Sequence, residues 1–200
     1  MPMVERLFAD CALRPQDCDA FAFANGPGSF TGLRVACTLV QGLALGSGRP
    51  VVEVGHLDAL LRAALEAGGQ DSPAGTRVAT LLDARMQQAY WCVHEQGPDG
   101  WRCVEAPAVG GIAELSAALE RWQPARCAGD LPWLRGYIGG LGFALQEASV
   151  DAAVVARMAL EKLARGLVVA PEAAAPVYVR ERVALTVQER ARRRADAAGA

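Results

Sequence analysis

The stretch that decides the fold is Asn25-Gly26-Pro27-Gly28-Ser29-Phe30-Thr31-Gly32-Leu33-Arg34. An apolar run typical of a strand, 20–24, precedes it, and a run typical of a helix, 31–46, follows it. Glycines cost backbone entropy on folding, so several of them around one proline indicate a turn whose geometry requires them. The pattern therefore predicts a strand, a rigid turn and a helix in succession.

The predicted turn, named the glycine loop, has two interpretations. Its residues are Gly26, Pro27, Gly28, Ser29, Thr31 and Gly32. Ser29 and Thr31 are both residue types that accept a backbone N–H as a helix N-cap. Free N–H groups at a helix N-terminus bind anions, but the Gly-Lys-Ser/Thr ending of a P-loop is absent. The loop is either a rigid corner or an anion site to which Arg34 supplies charge.

The predicted helix 31–46 is unusually apolar. Arg34, Thr38 and Gln41 form one narrow polar stripe, and the remaining positions are apolar or small. A helix of this kind needs cover on nearly all sides. A sheet covers one side, and either the predicted helix 2–12 or a second protein covers the other.

The rest of the chain alternates between strand and helix patterns, which predicts an α/β fold. Residues 97–100 are typical of a hairpin turn, and the glycine-rich residues 130–150 show no regular pattern. The further predicted strands are 51–54, 77–82, 88–94, 101–104 and 126–128, and the further predicted helices are 57–67, 112–122 and 151–165.

These elements suggest two lobes joined by an exposed linker at 70–76. The expected domains are a first lobe at 1–69, a second lobe at 77–150, a helical segment at 151–175 that packs back on the first lobe, and a basic, disordered tail at 180–200. Residues 180–194 hold six arginines and two glutamates. The tail is either a contact for RNA or a frayed terminus.

Composition sets further limits on function. The chain has 200 residues, 52% of them hydrophobic, and a formal net charge of −2, which gives no general attraction to nucleic acid. Its six cysteines show no CxxC spacing, as expected for free thiols in a reducing cytosol. No signal peptide and no apolar run long enough for a bilayer is visible, so we expect a cytoplasmic protein without a membrane partner.

Catalytic patterns are scarce. His56 and His94 are the only histidines, and no nucleophile–base arrangement stands out. We therefore predict no catalytic residue and no metal site. Asp83 and Arg85 lie two apart at the end of a predicted strand and so point the same way. They form either a salt bridge that orients the loop or a contact with a partner.

The glycine loop, continued through Leu33 and Arg34 and followed by 41–44, resembles the TsaB (YeaZ) family of bacterial tRNA threonylcarbamoyladenosine biosynthesis proteins. The resemblance covers roughly residues 1–185. It implies an actin/Hsp70-like (ribonuclease-H-type) fold with two lobes. The supporting stretches, in the same order as in the family, are 83–85 with 90–91, 156–160, and 176–180 with 183–184.

The resemblance implies a non-catalytic scaffold. TsaB-like proteins use their two N-terminal helices to pair with themselves or with the catalytic subunit TsaD. With the ATPase TsaE, the complex transfers a threonylcarbamoyl group to the adenosine adjacent to the tRNA anticodon. By this resemblance the chain binds no cofactor alone, ATP and a metal ion belong to its partners, and tRNA is contacted through the complex. The expected interface residues are Glu5, Leu7, Arg34, Leu39 and Gln41.

The resemblance also bears on catalysis and on the first lobe. Catalytic relatives carry a metal-binding histidine pair four residues apart, whereas His56 is followed at that distance by Leu60. Relatives normally begin earlier, with further strands and an aspartate, so we expect an incomplete first lobe. Either the start codon is wrongly assigned or the chain is a fragment. The alternative function is a glycoprotease-like peptidase or an actin-fold kinase, which needs a zinc site, a nucleophile pair or a phosphate hairpin.

Overall fold

The computed structural model describes residues 2–68 and 72–180. Part of the predicted linker and the predicted basic tail beyond Arg180 lie outside these residues. The helices are α1 (Pro2–Asp10), α2 (Phe30–Ser47), α3 (His56–Gly68), α4 (Ile112–Trp122), α5 (Arg135–Gly140) and α6 (Ala152–Ala164). The strands are β1 (Phe21–Gly26), β2 (Val51–Gly55), β3 (Arg77–Arg85), β4 (Gln88–Gly97), β5 (Gly100–Gly110), β6 (Arg126–Gly129) and β7 (Leu145–Gln146).

The strands form two sheets. β1 and β2 are a parallel pair in which Phe21 lies opposite Val51. The second sheet has the order β5-β4-β3-β6-β7. In it β3, β4 and β5 are antiparallel, while β6 runs parallel to β3 and β7 parallel to β6. Helices flank both sheets, so the predicted α/β class is confirmed.

The centre of the second sheet is covered on both faces. Along β3, Ala79 and Leu81 face a cluster that contains Leu115 and Leu119 of α4. Val78, on the opposite face, packs with α3. A strand that is buried on both faces reads as a continuous apolar run instead of an alternating one. This explains why four of the five residues 78–82 of β3 are apolar.

Helix α3 packs against both sheets. Its Leu57 and Leu60 pack with Cys92 of β4, and Leu61, Ala64 and Leu65 pack with Val78 and Ala128. On another side of the same helix, Ala59 joins Val52 and Val54 of β2 in a cluster that α6 completes. The two sheets therefore share one helix as a common core element.

Helix α2 begins at Phe30, one residue before the predicted start at 31. The Ser29 side chain accepts a hydrogen bond from the Gly32 N–H at 3.3 Å, whereas Thr31 lies within the helix and is exposed. Gly48 ends the helix with a φ of 66°, a left-handed conformation that glycine adopts without a Cβ penalty. The buried stripe is Leu33, Cys37, Val40 and Ala44.

Two parts of the second sheet differ from the predicted pattern. β5 extends to Gly110, well beyond residue 104, because it is an edge strand and an edge tolerates Pro107. Residues 130–150 contain α5 and β7 despite their four glycines. Leu134 and Ile138 are fully buried against the sheet, so tertiary packing stabilises a segment with weak helix propensity.

Candidate protein interface and adjoining cleft

The outer side of the first two helices is apolar and exposed. On α1, Met3 and Leu7 are 85% and 62% exposed, and on α2, Val35 and Leu45 are 62% and 60% exposed. Among the residues that the structure describes, no atom lies within 4 Å of a Cβ added to Gly42 of α2. We call Met3, Leu7, Val35, Gly42 and Leu45 the outer face.

Only a small part of the surface of helix α1 packs against the rest of the protein. None of its residues is fully buried. Phe8, partly buried, packs against the cluster that includes Phe21 of β1 and Cys37 of α2. The helix is amphipathic nonetheless, with Leu7 turned away from this cluster. Among the described residues, then, α1 does not provide the complete second cover that the composition of α2 requires.

The predicted interface residues fall into different environments. Glu5, Leu7 and Arg34 are exposed. Leu39 is half-buried and lines an apolar groove between α2, β1 and α6. Gln41 is half-buried, and its Nε2 donates to the Ala174 carbonyl oxygen at 3.0 Å. Their role in binding a partner stays a prediction.

The composition of α2 does not reveal which apolar residues stay exposed. Val35 and Leu45 lie on the exposed side with Thr31, Thr38 and Gly42, a spacing of three to four residues that marks one helix face. The sequence shows the same spacing, but it does not show whether this helix face is exposed. That depends on which side of α2 packs against the sheet.

Residues 174–180 cross the open end of the first sheet and α2. The Val177 N–H donates to the Asn25 carbonyl oxygen at 2.7 Å. Arg34 Nε donates to the Tyr178 hydroxyl at 2.9 Å, and the Arg34 guanidinium lies 3.9 Å from the Phe30 ring centroid. The polar stripe of α2 is therefore partly occupied by the chain's own C-terminal segment.

The glycine loop is shaped by this crossing segment. Gly26 has a φ of +128°, and a Cβ added there would lie 2.6 Å from the Val177 carbonyl oxygen. On the other side, His56 Nδ1 lies 3.2 Å from the Pro27 carbonyl oxygen. Burial lowers the pKa of His56, which favours the neutral ring. These contacts support the interpretation of the loop as a rigid corner.

The strand-end pair forms the salt bridge that was one of its two predicted roles. Asp83 Oδ1 accepts from the Arg85 N–H at 2.8 Å, and Arg85 Nη1 donates to Asp83 Oδ2 at 3.1 Å. Arg85, Met86 and Gln87 all have positive φ, so the carboxylate supports a tight β3–β4 turn.

Three separate sequence motifs meet in one cleft. Its walls are the glycine loop, the Asp83–Arg85 turn and residues 177–180, around a cavity of about 360 Å³. Arg180 closes one side, since its Nη2 donates to the Ala84 carbonyl oxygen at 2.9 Å and to Gln88 Oε1 at 2.7 Å. The motifs are far apart in sequence, and only the fold shows that they are neighbours.

Known proteins are similar to this chain over most of its length. The family described as TsaD, tRNA N6-adenosine threonylcarbamoyltransferase, matches residues 1–193. The tRNA threonylcarbamoyladenosine biosynthesis protein TsaB of Escherichia coli (strain K12) is 31% identical over 92% of this chain and 80% of its own length. The chain belongs to the TsaB (YeaZ) family.

Solved structures agree with membership of the TsaB (YeaZ) family. A Pseudomonas aeruginosa protein described as similar to peptidase YEAZ matches with a TM-score of 0.71 and 33% identity, covering 90% of this chain and 82% of that one. YeaZ from the same organism matches with a TM-score of 0.69 and 34% identity, covering 88% and 82%. The family resemblance and the actin/Hsp70-like fold that it implies are confirmed.

The TsaB-family chain has one cluster that invites comparison with a cysteine hydrolase. His94 Nε2 lies 2.9 Å from Asp58 Oδ1 and 3.5 Å from Cys92 Sγ, and the buried His94 Nδ1 has no hydrogen-bond partner among the described residues. A catalytic relay needs the acid and the nucleophile on different ring nitrogens. Because a carboxylate only accepts, Nε2 donates its proton to Asp58 and is not free to take one from Cys92.

Within residues 2–68 and 72–180, no group of three histidine, cysteine, aspartate or glutamate side chains is placed to hold a metal ion. Across the same residues, no helix has both the length and the apolar character needed to cross a bilayer.

Proposed function

We propose that this protein is a non-catalytic subunit that binds a TsaD-like catalytic subunit through the outer face of α1 and α2. In this proposal the pair acts with a TsaE-like ATPase to install threonylcarbamoyl on the adenosine adjacent to the tRNA anticodon. ATP and a metal ion are held by the partner subunits, and tRNA is reached through the complex. The observation that carries the proposal is the exposed apolar outer face.

Burial of the outer face against a second protein supplies favourable free energy for association. Each large apolar side chain contributes roughly 1.5–3 kcal/mol when it passes from full exposure to full burial. The face holds several such side chains, including Leu7 on α1 and Val35 on α2, and the small Gly42 is exposed on the same side of α2 as Val35. A small residue at the centre of a helix face lets a second helix approach closely, and interhelical distances of about 8–10 Å depend on such residues.

Family membership supports the choice of partner. The relative from Escherichia coli is named as a biosynthesis protein of tRNA threonylcarbamoyladenosine, and the matched family is described as a threonylcarbamoyltransferase. A subunit that resembles its catalytic partner can pair with it in the way that two identical copies pair about a two-fold axis. Pairing of two copies of this chain is therefore the competing use of the same face.

Co-purification with a TsaD-like subunit tests the proposed surface. We expect Leu7→Asp and Val35→Asp each to weaken binding at least tenfold, because a buried, unpaired carboxylate costs more than about 1.4 kcal/mol. Leu167→Asp is the matched control, since Leu167 is 49% exposed in the turn that follows α6 and belongs neither to the outer face nor to the residues that line the groove beside α2. Leu39→Asp tests whether the groove beside α2 contributes as well.

If the TsaD-like subunit is recovered equally with wild-type protein, Leu7→Asp and Val35→Asp, the outer face is not its binding surface. Light scattering on the isolated chain over a range of concentrations distinguishes the competing homodimer, which the same substitutions should dissociate. Turnover of ATP or of a peptide by the purified chain alone would contradict the non-catalytic role and favour the kinase or peptidase alternative.

A further inference from the structure

The β4–β5 hairpin brings two cysteines together on one face of the second sheet. Cys103 lies opposite His94 in the strand register, and Cys92 is two residues before His94 on the same face. Bulges on either side of Val93 adjust the register between the strands. As a result Cys92 Sγ and Cys103 Sγ lie 3.1 Å apart, and both sulfurs are free thiols.

The two thiols differ in their access to solvent. Cys103 is exposed on the edge strand β5 and donates to the Glu105 carbonyl oxygen at 3.0 Å. Cys92 is only 1% exposed and packs against Leu57 and Leu60 of α3. Burial, followed by the hydrogen bond that joins Cys92 Sγ to Cys103 Sγ, raises the pKa of the Cys92 thiol, so Cys92 stays protonated at neutral pH. A solvent-borne oxidant therefore meets Cys103 first.

We propose that Cys92 and Cys103 are a redox-active pair that closes to a reversible disulfide when the protein meets a peroxide. In the first step Cys103 attacks the peroxide O–O bond, which breaks to give the Cys103 sulfenic acid and water. In the second step Cys92 attacks the Cys103 sulfur, the S–O bond breaks, and hydroxide leaves with the Cys92 proton as water. Peroxide oxygen is reduced, and the two sulfurs are oxidised to one disulfide.

This pairing is independent of the proposed docking function. The hairpin belongs to the second sheet, whereas the outer face belongs to α1 and α2, which pack with the first. A disulfide between Cys92 and Cys103 ties an edge strand to its neighbour and restricts the unfolded chain. We therefore expect the oxidised protein to unfold at a higher urea concentration than the reduced protein.

Mass spectrometry of the full chain after treatment with hydrogen peroxide tests the proposal. Trypsin cuts after Arg102 and so separates Cys92 from Cys103 in reduced protein. In oxidised wild-type protein we expect the two peptides to remain joined, with the loss of two hydrogen atoms, and to separate again after dithiothreitol. Cys11→Ser, which removes another exposed thiol, should behave like wild type.

Cys103→Ser should abolish the joined peptide, and since Cys103 is exposed the variant should keep the wild-type circular dichroism spectrum. Cys92→Ala supplies the second arm, in which Cys103 lacks its partner and should be oxidised further to the sulfinic acid. Two outcomes would overturn the proposal. One is accumulation of Cys103 sulfinic acid in wild-type protein with Cys92 unchanged, and the other is a disulfide found only between two molecules.

Discussion

At Gly26, both the backbone conformation and the surrounding space exclude a side chain. Its φ of +128° belongs to a region that side-chain-bearing residues rarely adopt, and Val177 closes the space where a Cβ would lie. The glycine is therefore required by the chain's own crossing segment and needs no bound anion to explain it.

We expect Gly26→Ala to lower the free energy of unfolding by at least about 2 kcal/mol, through backbone strain and the clash with the Val177 carbonyl oxygen. Urea denaturation measures this loss. Gly42→Ala is the matched control, because a Cβ there meets no neighbour within residues 2–68 and 72–180 and alanine favours a helix over glycine by about 0.5–1 kcal/mol. Equal effects of the two substitutions would contradict this account of the loop.

His56 makes stability depend on pH. Its pKa in the folded protein is lowered by burial, so the unfolded chain binds more protons below the ordinary pKa of about 6.5. Stability is therefore fully present above that pH and falls as the pH drops toward the folded-state pKa. We expect His56→Asn, measured by urea denaturation between pH 7.5 and 5, to lose less stability on acidification than wild type. Identical pH profiles would show that His56 does not contribute.

At the level of elements, α6 illustrates how a helix end is stabilised. Asp151 is its N-cap, and Oδ1 accepts from the Val154 N–H at 2.8 Å. The buried side of the helix, Val154, Val155 and Ala159, packs on β2 and holds the helix in place. Cap and packing thus act on the same first turn.

We expect Asp151→Ala to destabilise the protein by about 1 kcal/mol, because the Val154 N–H loses its partner. Asp151→Asn retains a side-chain oxygen at the same position and should cost much less. Thermal or urea unfolding of the two variants measures the difference. A loss as large with asparagine as with alanine would show that charge, not capping, is what Asp151 supplies.

Sequence patterns predict neither a helix nor a strand for the crossing segment, residues 174–180. Residues 174–180 form no long helix or strand, yet they contact α2 through Gln41 and Arg34 and the glycine loop through Val177. Periodicity predicts helices and strands because it depends on neighbours along the chain. It carries no information about an extended segment that returns from a position more than a hundred residues away.

For the whole molecule, α3 is the element that joins the two sheets. Leu60 is fully buried against β4, while Ala59, the residue before it, packs with β2. The ion pairs of Arg62 with Glu161 and of Arg157 with Glu66 also join α3 to α6 on the surface. Since both sheets share this helix, we expect them to unfold together.

We expect Leu60→Ala to cost about 2–5 kcal/mol, the range for a leucine that leaves a cavity in a rigid core. All four tryptophans, 91, 101, 122 and 133, lie in the segment of the second sheet, so their fluorescence reports on that part, while far-ultraviolet circular dichroism reports on both. The two signals should give one coincident transition in wild type and variant. Separate transitions would show that the sheets fold independently.

The sequence by itself determined the strand–loop–helix at residues 20–46, Ser29 and Thr31 as the two cap candidates of α2, most of the other elements and the family. These features depend on local periodicity, capping and turn chemistry, all of which involve residues close together in the chain. Only the tertiary structure decided that Val35 and Leu45 stay exposed while Leu39 lines a groove, that Gly26 faces Val177, and that Cys92 meets Cys103. Which side of an apolar helix is the inside, and which distant residues touch, is set by how the sheets pack.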